Sequence, residues 1–548
     1  MDVVLVGLPG SGKSAVGRRL AQRHGASHVD LDEVIERQAG RKIPEIFADE
    51  GEAGFRERER AAVASLGEAD RDAEVRRVVA TGGGAVLDPR NRWLLYRGRV
   101  PIWIDGRPEV LAQRLRRSPV VRPLVAGRDP IGAIRSLAAA RQRFYAAANR
   151  VNGVAEVAAV VEAAERIVTD AVAAGPERAT TLLRAETRLG RFVLGERNAV
   201  DAIDEALRGL EARRAILVSE PGAWEAAGEE IAAGLAAREW TVEELLLPQG
   251  EEAKRLSVVE TAASELARRR IERGEPLVAI GGGALGDAAG FLAATYLRGV
   301  PFVQVPTTLV AQVDSSIGGK TGVDLPEGKN LVGAFHQPAV IVADVALLRS
   351  LPARHLRAAL GEAVKMAALG DERLFELLES DGEAIARGDT TAFDGGAVAE
   401  VVERAAWAKV EVVLADEREA AGRAVLNLGH SLGHAIEAAA GYRDLLHGEA
   451  VGYGLRGAVR IGLERGVTPP DRAQRIERLL TRLGLGTDPL PYPLTAIREA
   501  LGADKKHHAG RLNWVLPTAD GVMTDPDVPD DLVDRVAAGL LAAEGVAA

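Results

Sequence analysis

The sequence begins with a short apolar segment that runs directly into a glycine-rich loop and then into an amphipathic helical segment. The loop, residues 7–14, reads GLPGSGKS and matches the pattern G-x4-G-K-[ST]. Its glycines allow backbone N–H groups to point into one concavity, and a following helix N-terminus adds positive potential there. Such loops hold nucleotide phosphates, with the lysine (Lys13) on the β- and γ-phosphates and the hydroxyl (Ser14) on Mg²⁺. This start therefore predicts a parallel α/β domain that binds a nucleotide.

The pattern of apolar segments extends this prediction along the chain. Over residues 1–170, strands expected at 3–6, 78–80 and 100–104 alternate with helices expected to start at Lys13, Asp88 and Pro108. A second α/β pattern has strands at 215–218, 244–247, 277–280 and 302–305, and a helical pattern dominates from Asp344 onward.

The predicted fold class is therefore α/β, in three structural units. Residues 1–170 form a P-loop domain with a parallel sheet, and residues 171–180, interrupted by Gly175-Pro176, form a linker. Residues 181–343 form a Rossmann-like α/β nucleotide-binding domain, and residues 344–548 form a mostly α-helical domain.

Composition excludes several classes of function. The chain has 69 Lys and Arg against 79 Asp and Glu, a net charge of -10, so general nucleic-acid binding is not expected. It has no cysteine, which excludes thiolate nucleophiles and cysteine-based zinc sites and leaves His, Asp and Glu as metal ligands. No run of 18 apolar residues and no signal-peptide pattern occur, so we expect a cytoplasmic protein without membrane contact.

Five further motifs follow the phosphate loop in order. Asp30-Leu31-Asp32 ends the next strand, and Phe55-Arg56 follows an acidic helix. Residues 81–84 (TGGG) end another strand, Arg122-Pro123-Leu124 lies in a polar stretch, and Arg141 falls on a helix. Together with the loop, these motifs resemble the shikimate kinase family over residues 1–170. A gluconate- or nucleotide-type kinase, and a regulatory nucleotide-binding module without catalysis, are the alternatives.

The resemblance implies a role for each motif. ATP, the co-substrate, is expected on Gly10, Ser11, Gly12, Lys13 and Ser14. Asp30 supports Mg²⁺ with Ser14, Asp32 orients or deprotonates the acceptor hydroxyl, and Arg122, in a lid, neutralises charge on the transferring phosphoryl group. Shikimate is expected to be held by Asp32, Arg56, Gly82, Gly83, Gly84 and Arg141.

The second half of the chain contains a glycine run followed by a dense set of polar motifs. Residues 279–287 (AIGGGALGD) follow a strand and open a helix, but they depart from G-x-G-x-x-G and are a weak signal alone. Residues 305–308 (VPTT), 313–320 (VDSSIGGK) and 328–330 (GKN) then crowd charged and polar groups into a short stretch. A core strand and helix do not need two lysines, an aspartate and paired threonines so close together, so these motifs indicate a site.

Three histidines and a glutamate indicate a metal site. His430 and His434 are four residues apart, on one face if the segment is helical, and His447 follows 17 residues after His430. Glu362 and Lys365 share a helical turn. In a chain without cysteine, one Glu and two His form a sensible zinc set that leaves positions open for water or substrate oxygens. A structural role for the histidine pair is the alternative.

Taken together, residues 180–548 resemble the 3-dehydroquinate synthase family. The resemblance implies Zn²⁺, or Co²⁺ in its place, on Glu362, His430 and His447, with His434 nearby but not a ligand. It implies NAD on Glu251, Lys254, Gly282, Gly283, Asp287, Thr307, Thr308, Lys320, Lys329 and Asn330. It implies substrate on Asp314, Lys320, Lys329, Asn330, Lys365, Arg298, Arg423, Asn427 and one of Lys505 and Lys506. Of these, Asp314, Lys320, Lys365, Arg423, Asn427 and His434 are expected to act in catalysis, and a homodimer is expected because Arg298 reaches a neighbouring subunit's site.

The lysines support this interpretation. The chain has nine lysines among its 69 basic residues, so its surface charge is carried by arginine. Seven of the nine fall in the motifs above: Lys13, Lys254, Lys320, Lys329, Lys365, Lys505 and Lys506. Because an ammonium group is a compact point charge, its retention there indicates recognition of phosphate and carboxylate groups.

The implied chemistry is two reactions on small molecules. The kinase phosphorylates shikimate from ATP, and the synthase converts 3-deoxy-D-arabino-heptulosonate 7-phosphate to 3-dehydroquinate plus phosphate, with NAD regenerated in each turnover. The alternatives for the second half are a related sugar-phosphate cyclase, such as a deoxyinosose or valiolone synthase, and a glycerol-dehydrogenase-like enzyme. A scaffold without catalysis is the remaining alternative for the whole chain.

Overall fold

The computed structural model describes residues 1–69, 74–117, 129–175, 178–419, 422–507 and 512–542. The chain divides into two compact units. The first comprises residues 1–187 and 191–202, and the second comprises residues 188–190 and 203–548. Each unit is described separately below.

The first unit is built on a five-stranded sheet in the order β2-β3-β1-β4-β5, in which every neighbouring pair is parallel. All five residues of β1 are buried, because helices cover both faces of such a sheet. The strands are β1 (Asp2–Val6), β2 (Ser27–Asp30), β3 (Arg77–Ala80), β4 (Val100–Asp105) and β5 (Asn149–Asn152). The helices are α1 (Lys13–His24), α2 (Leu31–Ala39), α3 (Ile43–Ala64), α4 (Pro89–Tyr96), α5 (Pro108–Arg116), α6 (Pro130–Tyr145) and α7 (Val157–Ala174). Two further neighbouring strands, β6 (Thr180–Thr187) and β7 (Gly190–Glu196), follow.

Two motifs of this unit sit differently from their predicted positions. Strand β2 ends at Asp30, so Leu31 and Asp32 form the first turn of α2 rather than the end of the strand. The cause is local: Asp30 Oδ1 accepts a hydrogen bond from the Asp32 backbone N–H at 3.1 Å and caps the helix. Arg56 lies within α3, beyond Gly51, whose backbone interrupts the helix at φ 68°.

The second unit contains five parallel strands in the order β14-β11-β10-β8-β9. The order reverses between β8 and β10, and a crevice at the carboxyl ends of the strands forms at such a point. The glycine run lies there, because β10 ends at Gly281 and the next helix starts at Gly283. The strands are β8 (Ala215–Ser219), β9 (Val242–Leu246), β10 (Leu277–Gly281), β11 (Phe302–Pro306) and β14 (Val340–Asp344). The accompanying helices are α8 (Ala199–Gly209), which begins in the first unit, α9 (Pro221–Ala223), α10 (Glu229–Ala236), α11 (Leu256–Arg268) and α12 (Gly283–Thr295).

The remainder of this unit consists of an antiparallel hairpin and a helical part. The hairpin, which the sequence analysis did not predict, pairs β12 (Lys320–Leu325) with β13 (Gly328–Phe335). The helices are α13 (Ala353–Ala368), α14 (Glu372–Arg387), α15 (Thr390–Asp394), α16 (Ala397–Ala415), α17 (His430–Ala439), α18 (His447–Glu464), α19 (Pro470–Arg482), α20 (Leu494–His507) and α21 (Asp530–Ala538). A short antiparallel pair, β15 (Trp514–Pro517) and β16 (Val522–Asp525), precedes α21.

The predicted fold class is confirmed: two parallel α/β sheets are followed by a mostly helical part. Within the described ranges, no helix combines the length and the hydropathy that crossing a membrane requires.

Helices α13 and α18 pack with their backbones in direct contact. A Cβ atom added to Gly448 would lie 1.9 Å from the Ala358 carbonyl oxygen, and one added to Gly361 would lie 2.4 Å from the Gly448 carbonyl oxygen. Neither neighbour can give way, because both are backbone atoms. Glycine at these positions therefore sets how closely Glu362 on α13 approaches His447 at the start of α18.

We predict that Gly448→Ala destabilises the second unit by about 1–3 kcal/mol, the usual effect of forcing a methyl group into a packed interior. Urea denaturation followed by far-UV circular dichroism would detect the change as an earlier transition. Gly209→Ala is the matched control, since a Cβ atom there meets nothing within 4 Å. An unchanged transition in Gly448→Ala would contradict the close packing of the two helices.

Candidate active sites

The phosphate loop of the first unit joins β1 to α1. Gly10 and Gly12 have left-handed φ angles of 81° and 98°, which glycine adopts without strain, and Ser11 between them is buried. The Lys13 ammonium donates to the carbonyl oxygens of Gly7 and Leu8, at 2.9 and 3.1 Å, and so lies inside the loop. This is the position from which an ammonium group can reach phosphates bound to the loop.

The predicted magnesium residues are in contact. The Ser14 hydroxyl donates to Asp30 Oδ2 at 2.6 Å. Asp30 thus has one carboxylate oxygen on Ser14 and the other on the start of α2. A hydroxyl and a carboxylate are ligands that Mg²⁺ prefers, so the donor set fits the predicted ion.

The predicted acceptor residues lie together at the carboxyl edge of the sheet. A Cβ atom on Gly82 would lie 3.0 Å from Asp32 Oδ1, and one on Gly84 would lie within 2.4 Å of the Arg56 guanidinium. Arg141 Nη1 donates to the carbonyl oxygen of Gly83 at 2.8 Å. The structure therefore brings a carboxylate and two guanidinium groups around one glycine turn. Arg122, the predicted lid residue, lies outside the described residues.

A buried glutamate that sequence reasoning missed supports this cluster. Glu59 is 2% exposed and accepts from Arg56 Nη1 at 2.6 Å. Burial raises the pKa of the Glu59 carboxyl, and the Arg56 charge opposes that rise. The three-residue spacing of Arg56 and Glu59 on a helix is the signal that could have identified the pair.

The second unit encloses a cavity of about 550 Å³, a size typical of small-molecule sites. The cavity wall includes ten of the residues predicted from the sequence, namely Asp287, Asp314, Lys320, Asn330, Lys365, Arg423, Asn427, His430, His434 and His447. These residues come from helices, strands and turns spread over 160 positions, and the fold collects them around one volume.

Three imidazoles and one carboxylate meet at one end of this cavity. Ligand nitrogen atoms of His430, His434 and His447 all lie within 4.8 Å of one another. Glu362 Oε1 lies 3.1 Å from His447 Nε2 and 3.5 Å from His430 Nε2. Although burial lowers it, hydrogen bonds to two carboxylates raise the pKa of His447 to about 10. This donor set fits a divalent metal such as Zn²⁺.

A cluster of four buried charges lies next to the imidazoles. Lys365 Nζ is 2.5 Å from Glu362 Oε2 and 3.3 Å from Asp314 Oδ1. Lys409, on α16, donates to the same Asp314 oxygen at 2.8 Å and to the Asp314 carbonyl at 2.7 Å. Despite burial, which acts in the opposite direction, Lys365 and Lys409 hold the pKa of Asp314 below its usual range. Burial and the charge of Lys365 lower the pKa of Lys409.

A buried arginine forms another part of the cavity wall. Arg423 is 2% exposed, and its Nη1 donates to the Glu417 carbonyl at 2.7 Å. Burial lowers the pKa of Arg423, and the nearby carboxylate of Glu419 opposes this effect. Lys320 pairs with Glu419 Oε1 at 2.5 Å, and Asn427 is exposed to the cavity. The cavity wall therefore includes the basic groups of Lys320 and Arg423, with the Glu419 carboxylate beside them.

The predicted cofactor glycines Gly282 and Gly283 leave a space, here called the cradle, that a side chain at either position would fill. A Cβ atom on Gly282 would lie 3.3 Å from Thr308 Cγ2, and one on Gly283 would lie 2.9 Å from Ser315 Oγ. The Thr307 N–H donates to the Gly281 carbonyl at 3.0 Å and fixes the paired threonines beside the glycine run. The cradle opens at the N-terminus of α12, where backbone N–H groups favour the phosphates of a dinucleotide.

The remaining predicted cofactor residues form a network of charges. Lys254 Nζ donates to Asp287 Oδ2 at 2.9 Å and to Asn330 Oδ1 at 2.5 Å. Lys329 Nζ donates to Glu251 Oε1 at 3.1 Å. The network therefore ties the hairpin β12–β13 to the start of α12.

One predicted residue, Arg298, lies apart from these groups. Arg298 is exposed on a turn with a left-handed φ of 67° and is not part of the cavity wall. The side chains of Lys505 and Lys506 are outside the described part of the structure.

Sequence reasoning missed three residues of this unit. Lys409 carried a signal, since it is one of the nine lysines in an arginine-rich chain. Glu437 lies seven residues after His430 on α17 and therefore shares its helix face. Glu220, at the end of β8, had no motif around it, but its Oε2 accepts from the Gly250 N–H at 2.6 Å at the point where the strand order reverses.

These sites define two kinds of enzyme on one chain. One is a P-loop kinase of small molecules, and the other is an α/β enzyme that combines a dinucleotide cradle with a metal-type cluster, formed by Glu362, His430, His434 and His447. Family models agree with this division. Residues 9–171 match shikimate kinase, residues 244–358 match the N-terminal region of 3-dehydroquinate synthase, and residues 359–507 match its C-terminal region.

Curated relatives and solved structures resemble the second half. The 3-dehydroquinate synthase of Symbiobacterium thermophilum is 46% identical over 327 residues, which is 59% of this chain and 89% of that protein. The enzyme of the same name from Caulobacter vibrioides is 44% identical over 316 residues, 57% of this chain and 83% of that protein. The structure of a 2-epi-5-epi-valiolone synthase from Streptomyces hygroscopicus, with NAD⁺ and Zn²⁺ bound, is 30% identical with a TM-score of 0.58, over 64% of this chain and 96% of that one.

The chain belongs to the 3-dehydroquinate synthase family and carries a shikimate kinase domain ahead of it. It is a bifunctional enzyme of the shikimate pathway. Both resemblances predicted from the sequence motifs are confirmed.

We predict that Lys409→Met lowers synthase activity by about 100-fold, because two buried carboxylates then share one ammonium group and the charge balance around Asp314 is lost. A phosphate-release assay on the purified full-length chain would measure the change. Lys42→Met is the matched control, since the side chain of Lys42 is 72% exposed in the first unit. Equal activity in the two variants would exclude a role for Lys409.

Proposed function

We propose that the first unit transfers the γ-phosphate of ATP to the 3-hydroxyl of shikimate. The nucleotide phosphates bind residues 10–14, with Lys13 on the β- and γ-phosphates and Mg²⁺ held by Ser14 and Asp30. Magnesium, when bound, neutralises charge on the phosphates. Support comes from the contact of Ser14 with Asp30 and from the position of Lys13 inside the loop.

In this proposal, the acceptor is held by the cluster around residues 82–84. Arg56 and Arg141 bind the shikimate carboxylate, since two guanidinium groups suit bidentate recognition. Asp32, next to Gly82, orients the acceptor hydroxyl and takes its proton as the oxygen attacks. Arg122 is assigned to charge neutralisation on the transferring group.

For the second unit, we propose conversion of 3-deoxy-D-arabino-heptulosonate 7-phosphate to 3-dehydroquinate and phosphate. Glu362, His430 and His447 would hold Zn²⁺ or Co²⁺, which when bound acts as a Lewis acid on substrate oxygens. NAD⁺, on the cradle at residues 282–283, would supply a hydride acceptor that is regenerated within each turnover. The solved relatives that carry NAD⁺ with Zn²⁺ or Co²⁺ support this pair of cofactors.

The side chains of this unit then have separate tasks. Arg423 binds the substrate carboxylate, with Asn427 beside it in the cavity wall. Lys320, Lys365 and one of Lys505 and Lys506 bind the departing phosphate and stabilise its negative charge. His434, exposed to the cavity and beside the proposed ligands, is positioned to move a proton of the bound substrate.

One observation carries the synthase proposal: the dinucleotide cradle and the metal-type cluster are joined by a single short segment. Ser315 lies against Gly283 of the cradle, and its neighbour Asp314 is paired with Lys365, which also pairs with Glu362. NAD⁺ on the cradle and a metal ion on the cluster would then lie beside one cavity, and this arrangement supports oxidation of a substrate hydroxyl there.

A related sugar-phosphate cyclase is the second candidate for this unit, favoured by the structural similarity to the valiolone synthase. The buried Arg423 argues for a substrate with a carboxylate. Substrates of the related cyclases that lack this group would offer the guanidinium no anionic partner beyond Glu419.

The decisive experiment supplies purified protein with Zn²⁺, catalytic NAD⁺ and the heptulosonate phosphate and follows phosphate release, with shikimate and ATP assayed in parallel. We expect both activities without net NADH. Lys13→Met should abolish the kinase reaction, because it removes the ammonium group that contacts the β- and γ-phosphates. It should leave the synthase unchanged. Net NADH without phosphate release would overturn the synthase proposal, and turnover only of a carboxylate-free sugar phosphate would favour the related cyclase.

Metal removal should separate the two sites. After dialysis against a chelator, we expect Mg²⁺ alone to restore the kinase, and Zn²⁺ or Co²⁺ to be needed for the synthase, because its donor set contains imidazoles. His430→Ala should lose bound metal, and His434→Ala should retain it and lose turnover, as measured by metal analysis beside the assay. Loss of metal in His434→Ala with retention in Glu362→Gln would reassign the third ligand.

We also propose that the synthase part forms a homodimer in which the exposed Arg298 reaches the neighbouring subunit's cavity. Analytical ultracentrifugation tests the association, and a monomer at assay concentration would overturn it.

Both activities are assigned to the cytoplasm, where ATP and NAD are supplied.

A further inference from the structure

Glu437 is a buried carboxylate for which neither proposed reaction has a use. It lies on α17, on the same face as His430 and His434, and its side chain is 8% exposed. A carboxylate this deeply buried is costly unless its oxygen atoms are hydrogen-bonded and its charge is paired. Its partners therefore indicate why it is present.

Each carboxylate oxygen of Glu437 has one partner. Oε2 lies 3.1 Å from His447 Nδ1, and Oε1 lies 3.4 Å from the ammonium group of Lys329. Because an ammonium group can only donate, Oε1 acts as an acceptor for Lys329, and Oε2 is left to face His447.

The contact with Glu437 fixes the orientation of the His447 imidazole. With Nε2 bound to an ion, the remaining ring proton would be on Nδ1, which would donate it to Glu437 Oε2. The other ring nitrogen, Nε2, then points to Glu362 Oε1, 3.1 Å away, and toward His430. A histidine bound to a metal through one nitrogen commonly donates the other N–H to a carboxylate, which holds the ring and raises its basicity.

We propose that Glu437 is the positioning residue of the metal centre: it holds His447 with Nδ1 protonated and Nε2 free to bind the ion beside Glu362 and His430. The inference rests on the metal site of the proposed synthase. Lys329 serves the same arrangement from the other side, because its ammonium group pairs with Oε1 and leaves Oε2 to face His447.

The test measures metal affinity rather than turnover. Full-length protein freed of metal is titrated with Zn²⁺ against a chromophoric chelator, and with Co²⁺ while its visible absorption is recorded. We expect Glu437→Ala to weaken binding by about 100-fold and Glu437→Gln by about 10-fold, because the amide oxygen still accepts from Nδ1–H without the charge. The Co²⁺ spectrum should change in both variants as His447 loses its fixed orientation.

Glu251→Gln is the matched control. Glu251 also pairs with Lys329, at 3.1 Å, but it has no contact with a histidine among the described residues, so its loss should leave metal affinity unchanged. Kinase activity and the unfolding transition of each variant report whether the chain is folded.

The outcomes separate the two proposals. Wild-type affinity in both Glu437 variants would overturn the positioning role and leave the metal site standing. An equal loss in Glu251→Gln would also overturn it, since the effect would then pass through Lys329. A wild-type protein that binds neither Zn²⁺ nor Co²⁺ would overturn the proposed metal site and this inference with it.

Discussion

The balance of buried charge around Asp314 is the constraint on which the synthase unit depends. Two carboxylates, Asp314 and Glu362, meet two ammonium groups, Lys365 and Lys409, and three of the pairs of opposite charge lie within 3.3 Å. Removing any one of the four leaves the cluster with one uncompensated charge inside the protein, which is far more costly than a pair is stabilising. The cluster therefore fixes three elements relative to one another: the π-helical turn Ala311–Ser315, α13 and α16.

The metal-type cluster depends on these charge pairs through Glu362. Glu362 can face His430 and His447 because its other oxygen is occupied by Lys365, and the approach of α18 to α13 is set by backbone contacts at Gly361 and Gly448. Asp314 lies on a π-helical turn, a distortion that often occurs at functional sites because it re-aims side chains. Electrostatics and close backbone packing thus act on the same few residues.

The motifs predicted the location of both sites, because a phosphate loop and closely spaced polar residues can be recognised from the sequence alone. They did not predict Lys409, which reaches the cavity from α16, or Glu437, which lies on α17 beside the predicted histidines. The predicted position of Asp32 was wrong for a local reason: the capping hydrogen bond of Asp30 places Asp32 on α2 rather than at the end of the strand. The hairpin Lys320–Phe335 was missed because its residues were interpreted through their charges, although Val323 pairs with Val332 across its two strands.

The use of lysine follows from the same physics. Lys365 pairs with two carboxylates, and Lys409 with one carboxylate and a carbonyl, contacts that suit a compact ammonium group with three rotatable donors. In the proposed reactions, arginine takes the opposite role, a flat, bidentate contact with a substrate carboxylate, at Arg56 and Arg423 in the two sites.

Joining these two enzymes on one chain does not by itself pass a product between them. In the proposed reactions, 3-dehydroquinate must lose water and gain two reducing equivalents before it becomes shikimate, and neither site carries out those steps. The intermediate must therefore leave the synthase cavity, react elsewhere and return to the kinase. The fusion does make the numbers of kinase and synthase sites equal, since every synthase site is made together with one phosphate loop. Each site accordingly has its own complete set of charges, with Lys13 and Asp32 in one and Asp314, Lys365 and Lys409 in the other.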